Sequence, residues 1–587
     1  MLLVSKLRRS SVVLVSAAAA LVLLAGRTSA EPPAVLDVVP TGQAMVVVVR
    51  NLGELDSKVS KLSEEMPALW KSFGTGPVAQ FRKYAEAKGV NTAGSGAMVV
   101  PATAEGEANQ DGAVILLSIA DFAGFVTALG GEPAAGVVKV TGPDGEFFAR
   151  DLGNGFCAFG KTEAPVAAVQ ATRGTAASHV ALMGAMAPLA DSADLLVLAN
   201  PTAAGKAASQ RGRAVGVGVG GDGLEADMVD APDAKAGDNR MQAAIENQGQ
   251  LGVVALTIDE RGVSVDAGVQ FKENSTAAIL MSQTTDSASL MAQLPSQSFY
   301  LAGAVDASSP GMRLILNQMG GEGRAEGESG NGALRFLTGM FDSLLKADGF
   351  SVSVGQSAGG VLGGTLFSNT IGFARCADPT GAMASLRASR TGEHADATVA
   401  GTKVKVTYEA DQPLKDMPGQ KVDVWTTNFE FDEADETQGQ LAFAMGMIMG
   451  GTQVTNMAAP VDKGVYYTMS RNSRLVRSAV NVSKSGQGQE TDPLLSKARE
   501  GLPEKRSFEF YLGVKPVMEA VRDSMMLEEA DLPIPAGAPP ISLAGTTHGG
   551  AMAVRLFMHR DSMKAVDKTV ETVRGGLGGD GGGETQF

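Results

Sequence analysis

The chain has 587 residues and a net charge of −15. Its length exceeds what one hydrophobic core organises, so two or more domains are expected. The acidic balance repels phosphate backbones and anionic lipid, which argues against nucleic acid or a membrane surface as partner.

Residues 1–30 have the pattern of an export signal. Lys6, Arg8 and Arg9 precede the apolar stretch 11–26, and Thr28-Ser29-Ala30 supplies the small residues before a cleavage point after Ala30. Cleavage there predicts a mature chain that starts at Glu31 in the periplasm or outside the cell, with no membrane span left. The competing reading keeps the segment as an anchor, but its apolar run is short for a span of about 20 residues. Leu24-Ala25-Gly26 resembles a lipoprotein box, yet Arg27 stands where the acceptor cysteine would be.

One unit then recurs: an apolar stretch, a proline, a strand and a short helix. It occurs at 36–62, 182–210, 290–319 and 494–525, with Pro40, Pro188, Pro295 and Pro503 marking the entries. Proline there ends the preceding segment and sets the turn into the strand. Leu52, Leu55, Val59, Leu62, Met66 and Leu69 keep helical spacing, which predicts an amphipathic helix over 52–72, and Pro77 opens a second one. A strand–helix segment at 112–131, a paired-strand region at 137–160 and a hairpin at 252–271 complete a first half. The second half repeats the plan through 371–389, a strand pair at 402–429 and a closing hairpin at 541–558. The spacings differ, so this is no fixed-period solenoid. The expectation is an α+β protein of two related halves, 31–285 and 286–574, each an antiparallel sheet with helices packed on one face. Residues 212–239 read as a Gly- and Asp-rich loop, and 575–587 as a flexible Gly-rich tail.

Candidate chemistry is sparse. Gly355-Gln356-Ser357-Ala358-Gly359 fits the G-x-S-x-G nucleophile elbow and follows the strand-like 350–354, with Asp378 and His548 downstream in triad order. An elbow needs a helix after the serine, and the glycine-rich continuation reads instead as the return strand of a hairpin. Gly216, Gly218 and Gly221 satisfy G-x-G-x-x-G, but the polar sequence after them lacks a helical face, so no dinucleotide site is expected. A single GGDG at 220–223 is no calcium repeat. Asp432, Asp435 and Glu436 share a face at helical spacing and are the candidate calcium ligands; their simpler reading is acids that complement a helix dipole. The methionines at 445, 447 and 449 read as core filler. His179, His394, His548 and His559 are scattered without zinc spacing. Cys157 and Cys376 form either a bridge or two buried thiols. Only 5% of residues are aromatic, with two Trp and six Tyr, which argues against a stacking face for sugars.

The opening from Pro40 to Leu55, the segment SADLLVLAN (192–200) and the hairpin over 252–271, taken with the export signal, carry a resemblance. In that combination the chain resembles a large group of exported bacterial proteins classed only as a domain of unknown function. The resemblance implies export and a repeated α+β architecture and carries no active-site residues. The functional expectation is a non-enzymatic structural or binding protein of the envelope or periplasm that uses no cofactor, with an envelope protein or polymer as partner. The alternatives are a serine hydrolase using Ser357 and a calcium-dependent envelope or adhesion module.

Overall fold

The computed structural model describes residues 31–69, 87–103, 108–142, 145–170, 174–202, 239–321, 347–357, 366–392, 395–399, 402–432, 435–486, 488–524, 532, 534–535 and 537–577. The signal segment, nearly all of the helix expected after Pro77, residues 212–238 with their glycine motifs, and 578–587 lie outside this set. The chain divides into two compact units. Unit 1 runs to Ser282 and takes in His548–Arg555; unit 2 is Gln283–Thr547 with Leu556 onward. Antiparallel strands with helices around them make this an α+β protein.

Unit 1 holds β1 (Met45–Val49), β2 (Gly96–Val100), β3 (Val114–Ser118), β4 (Val137–Gly142), β5 (Gly145–Asp151), β6 (Phe156–Gly160), β7 (Leu195–Ala199), β8 (Gly249–Ile258) and β9 (Gly262–Phe271). Their order in space is β4-β5-β6-β3-β2-β1-β7-β8-β9, every pair antiparallel. The first strand therefore lies in the middle. Its sequence Met-Val-Val-Val-Val is β-branched and buried at four consecutive positions, as β6 is at all five. Consecutive burial means that both faces are covered at the centre. The outer strand β5 instead alternates, with Phe147 and Ala149 buried between more exposed neighbours. The expectation of cover on one face thus fits the edge and fails at the centre. Val46, Val48, Leu116, Leu196 and Leu198 pack in one core with Val35, Leu36, Met183 and Met186.

The first amphipathic helix, α1 (Leu52–Glu65), starts where Asn51 Oδ1 accepts the Glu54 N–H at 2.8 Å. The expected run to 72 is broken at Met66; residues 67–69 are helical again, and 70–86 lie outside the described set. Pro67 disfavours helical backbone at Met66, which sits at φ −138°, ψ 63°. Further along, α2 (Phe122–Ala128) and α3 (Thr175–Met183) follow. Pro188 opens a short helix, Pro188–Ser192, where a turn was expected; a proline at the first helical position gives up no needed N–H.

Unit 2 holds β10 (Phe299–Asp306), β11 (Gly349–Gly355), β12 (Thr370–Arg375), β13 (Asp396–Val399), β14 (Thr402–Pro413), β15 (Lys421–Glu430), β16 (Gln453–Val461), β17 (Gly464–Thr468), β18 (Phe508–Leu512) and β19 (Ile541–His548); β20 (Ala551–His559) returns after the Gly549-Gly550 turn. Both turn glycines have positive φ, the geometry a two-residue hairpin needs. The spatial order is β13-β14-β15-β16-β17-β12-β11-β10-β18-β19. Its helices include α4 (Pro379–Ala388), α5 (Glu436–Met449), α6 (Ser473–Ser485), α7 (Val514–Ser524) and α8 (Arg560–Leu577). Helix α8 runs three residues into the stretch expected to be a flexible tail. On β18, the fully buried Glu509 accepts from Arg506 Nε at 2.9 Å and pairs with Arg499, so its charge is compensated.

In each unit the first strand is an interior one: β1 pairs with β2 and β7, and β10 with β11 and β18. The sequence β4-β5-β6-β3-β2-β1-β7-β8-β9 has the same connectivity as β15-β16-β17-β12-β11-β10-β18-β19-β20, and β13-β14 is an addition at one edge of unit 2. The four occurrences of the sequence motif supply β1, β7, β10 and β18, an adjacent interior pair in each unit.

Candidate functional site

A cavity of about 660 Å³ opens in unit 2. Three antiparallel strands and two helices build it. The turn at Pro295–Ser298 leads into β10 and brings Tyr300 to the wall; β11 ends at Gln356 and Ser357; Asn369 precedes β12. Asn472 stands at the start of α6, and α7 presents Glu519, Arg522 and Asp523.

Amides tie its floor together. Gln356 donates its backbone N–H to the Ser298 carbonyl at 2.8 Å, and its side chain accepts from Ser298 Oγ at 3.0 Å and donates to Glu519. Asn369 Nδ2 donates to the Gln356 carbonyl at 2.7 Å. Gln297 Nε2 lies 3.2 Å from the Asn369 carbonyl and 3.1 Å from Ser353 Oγ. Asn472 Nδ2 donates to Asn369 Oδ1 at 3.1 Å. Gly355 leaves room for this packing: a Cβ there would come within 2.7 Å of Gln297 Oε1 and 2.8 Å of the Asn369 carbonyl oxygen. The first glycine of the G-x-S-x-G match is therefore required by close approach of the floor.

Ser357 is buried in this wall. Its N–H and hydroxyl are directed to the Tyr300 hydroxyl. Burial pushes the Tyr300 phenol up, and the nearby Glu519 and Asp523 carboxylates add to that, against the lowering effect of Ser357. Tyr300 therefore keeps its proton and is no base for Ser357. Among the described residues, no histidine and no lysine lines the cavity. Ser357 is also absent from the described non-glycine residues with positive φ, so the strained backbone of a nucleophile elbow is missing at that position. Residues 358–365 lie outside the described set. The return strand is β12, antiparallel to β11 from Val354↔Thr370 to Gly349↔Arg375.

Asp378 caps α4, its Oδ1 accepting the Gly381 N–H at 2.9 Å. His548 belongs to unit 1, at the exposed end of β19. Asp435 Oδ1 accepts the Gln438 N–H at 3.2 Å and so caps the start of α5, while Gln438 Oε1 accepts the backbone N–H of Asp432 at 2.8 Å. Glu436 is the first residue of that helix. Among the described residues no group of three or more His, Cys, Asp or Glu could hold a metal ion. Met445 and Met449 are half-buried rather than core, and Phe443, two residues before Met445, is 68% exposed. His179 is buried with Nε2 3.0 Å from the Val39 carbonyl, and His559 Nδ1 accepts the Asp561 N–H at 3.2 Å; His394 lies outside the described residues. Both cysteines are free, Cys157 buried and Cys376 half-buried. No described helix is long and apolar enough to cross a membrane.

The residues that build the cavity, Gln297, Tyr300, Asn369, Asn472, Arg474, Glu519 and Arg522, form no spaced motif. Only Asn472 carried a sequence signal, as an asparagine before an amphipathic helix. Comparison with protein-family models, curated proteins and solved structures gave no match.

Proposed function

We propose that the chain is an exported, non-catalytic binding protein of the envelope or periplasm, built from two copies of one α+β unit, with its ligand seat in the unit 2 cavity. The observation that carries this reading is the pairing of Ser357 with a protonated tyrosine in a cavity lined by amides, hydroxyls, two arginines and the carboxylates of Glu519 and Asp523. Such a wall can orient a polar ligand by hydrogen bonds, and the group paired with the serine is a phenol that keeps its proton rather than a base. The shared strand connectivity and the four motif occurrences on the corresponding interior strand pairs support a duplication. The N-terminal pattern of charge, apolar run and small residues supports export, and the resemblance to exported bacterial proteins of unknown function agrees with it.

The test uses the mature chain from Glu31 and its Ser357→Ala variant, each treated with a serine-reactive phosphonate and read by intact mass. The expected result is no adduct on the folded protein. A stoichiometric adduct on the parent that Ser357→Ala abolishes would make the protein a serine hydrolase.

A further inference from the structure

A second cavity, of about 890 Å³, shares Arg474 and Ser478 with the first. The two make one groove along α6. The helix reads Ser-Arg-Leu-Val-Arg-Ser-Ala-Val-Asn-Val-Ser-Lys-Ser and contains no acid. Its Leu475, Val476, Ala479, Val480 and Val482 are buried, so its cations fall on the outer, groove-lining side. In a chain of net charge −15 this is a local inversion of sign.

Not every cation there is available. Arg477 Nη1 lies 2.7 Å from Asp416 Oδ2, and Arg522 pairs with the adjacent Asp523 at 3.2 Å. Arg474 and Lys484 are exposed and make no ion pair among the described residues. They stand ten residues apart on one helix, about 15 Å along its axis. Two free cations that far apart suit spaced single charges. They do not suit one multivalent anion, nor nucleic acid, whose duplex carries a charge about every 1.7 Å. Glu519, on the same wall, is engaged by Lys515 at 3.7 Å and by the Gln356 amide, and between and beside the two cations the wall offers serine hydroxyls and the amides of Asn472, Asn481 and Gln420. That is a surface for hydroxyl groups, with few of the apolar seats that peptide side chains fill.

We infer that the α6 groove binds a hydroxyl-rich carboxylate of the uronic acid type, with Arg474 holding one carboxylate and Lys484 a second one farther along an acidic polysaccharide. Recognition runs through charge and hydrogen bonds, so the scarcity of aromatic residues is no obstacle. The inference rests on the reading of the cavity as a binding seat. A free sugar acid would share the Arg474 contact and lack the Lys484 one.

The experiment is calorimetric titration of the full mature chain at low and at physiological salt. The probes are galacturonate, tetragalacturonate, maltotetraose and tetraglutamate. Tetragalacturonate is expected to bind, more weakly as salt rises, and maltotetraose and tetraglutamate to bind at least tenfold more weakly. Arg474→Ala should weaken galacturonate and tetragalacturonate tenfold or more, and Lys484→Ala only the tetramer. Both side chains are exposed, so both variants should melt like the parent. Equal affinity for monomer and tetramer, with Lys484→Ala silent, would retain the carboxylate contact and make a free sugar acid the source. No binding of either acid, or equal binding of maltotetraose, overturns the inference. Equal binding of tetraglutamate makes the groove a peptide site and overturns it too. These failures leave Ser357 unlabelled by the phosphonate, whereas labelling would remove the binding reading itself.

Discussion

Asn472 Nδ2 donates to Asn369 Oδ1 at 3.1 Å, while Asn472 Oδ1 accepts the Leu475 N–H at 3.1 Å. One side chain therefore starts the basic helix α6 and fixes the cavity floor. Asn472→Ala removes both contacts. It should cost about 1–2 kcal/mol of stability, measured by chemical unfolding. Asn472→Asp keeps the cap acceptor but loses the donor to Asn369, so it should recover part of that loss. If both variants unfold like the parent, the residue holds neither the helix nor the floor.

Gly355 is the second test of the floor. Any side chain there meets Gln297 and the backbone oxygen of Asn369 at less than 3.0 Å. Gly355→Ala is expected to lose about 1–3 kcal/mol by overpacking, and to weaken ligand binding more than Ser357→Ala does. The Ser357→Ala variant removes one hydroxyl contact to Tyr300 and leaves the amide floor in place. The opposite order of effects would put the ligand against Ser357 rather than against the amides.

What the sequence revealed and what it hid follow one physical rule. Local patterns were legible where the local chain decides them. The Val-rich β1, the hairpin that turns at residues 259–262 and the one that turns at Gly549-Gly550 all match strands in the structure. The cavity was not legible, because Gln297, Gln356, Asn369, Asn472 and Glu519 meet only through the pairing of β10, β11 and β12 and the placement of α6 and α7. Singly, each reads as a loop, cap or surface residue. Helix α5 misled for a related reason: apolar residues all around a helix do not say which side packs, or whether any does. Phe443→Ser on that helix should accordingly leave stability within about 0.5 kcal/mol of the parent in thermal unfolding.

In unit 1, Lys58 Nζ lies 2.5 Å from Asp194 Oδ1 and 2.5 Å from Glu54 Oε1, with the lysine side chain 1% exposed. Asp194 Oδ2 also accepts the Ile258 N–H at 2.9 Å. The pair thus joins α1 to β7 and β8. Asp194→Ala would leave an ammonium and an N–H buried beside a partner, Glu54, that is half open to water. A loss of about 3–5 kcal/mol is expected. The double variant Lys58→Met with Asp194→Leu should be clearly more stable than Asp194→Ala, since it removes the orphaned charge. Equal instability of the two would mean that packing, and not charge, governs the site.

Asp423 in unit 2 gives the pH prediction. Burial alone would raise its pKa. Against that, Arg387 donates to both oxygens at 2.7 and 2.9 Å, Tyr408 Oη at 2.6 Å, and the Asp411 N–H at 2.9 Å. The bonds win, and the carboxyl is held below its ordinary value. Asp411 reaches it from a left-handed backbone, φ 53°, at the irregularity of β14. Because the folded pKa is the lower one, this carboxylate contributes its full stability above the unfolded value of about 3.9. That contribution falls away as pH drops through the folded value. Asp423→Asn should therefore be less stable than the parent at pH 7, and the gap should close on acidification below about pH 4. Urea unfolding across pH 3 to 7 reads both limbs. A gap that stays constant with pH would mean that the site is held by shape and neutral hydrogen bonds, with no ionised carboxylate at its centre.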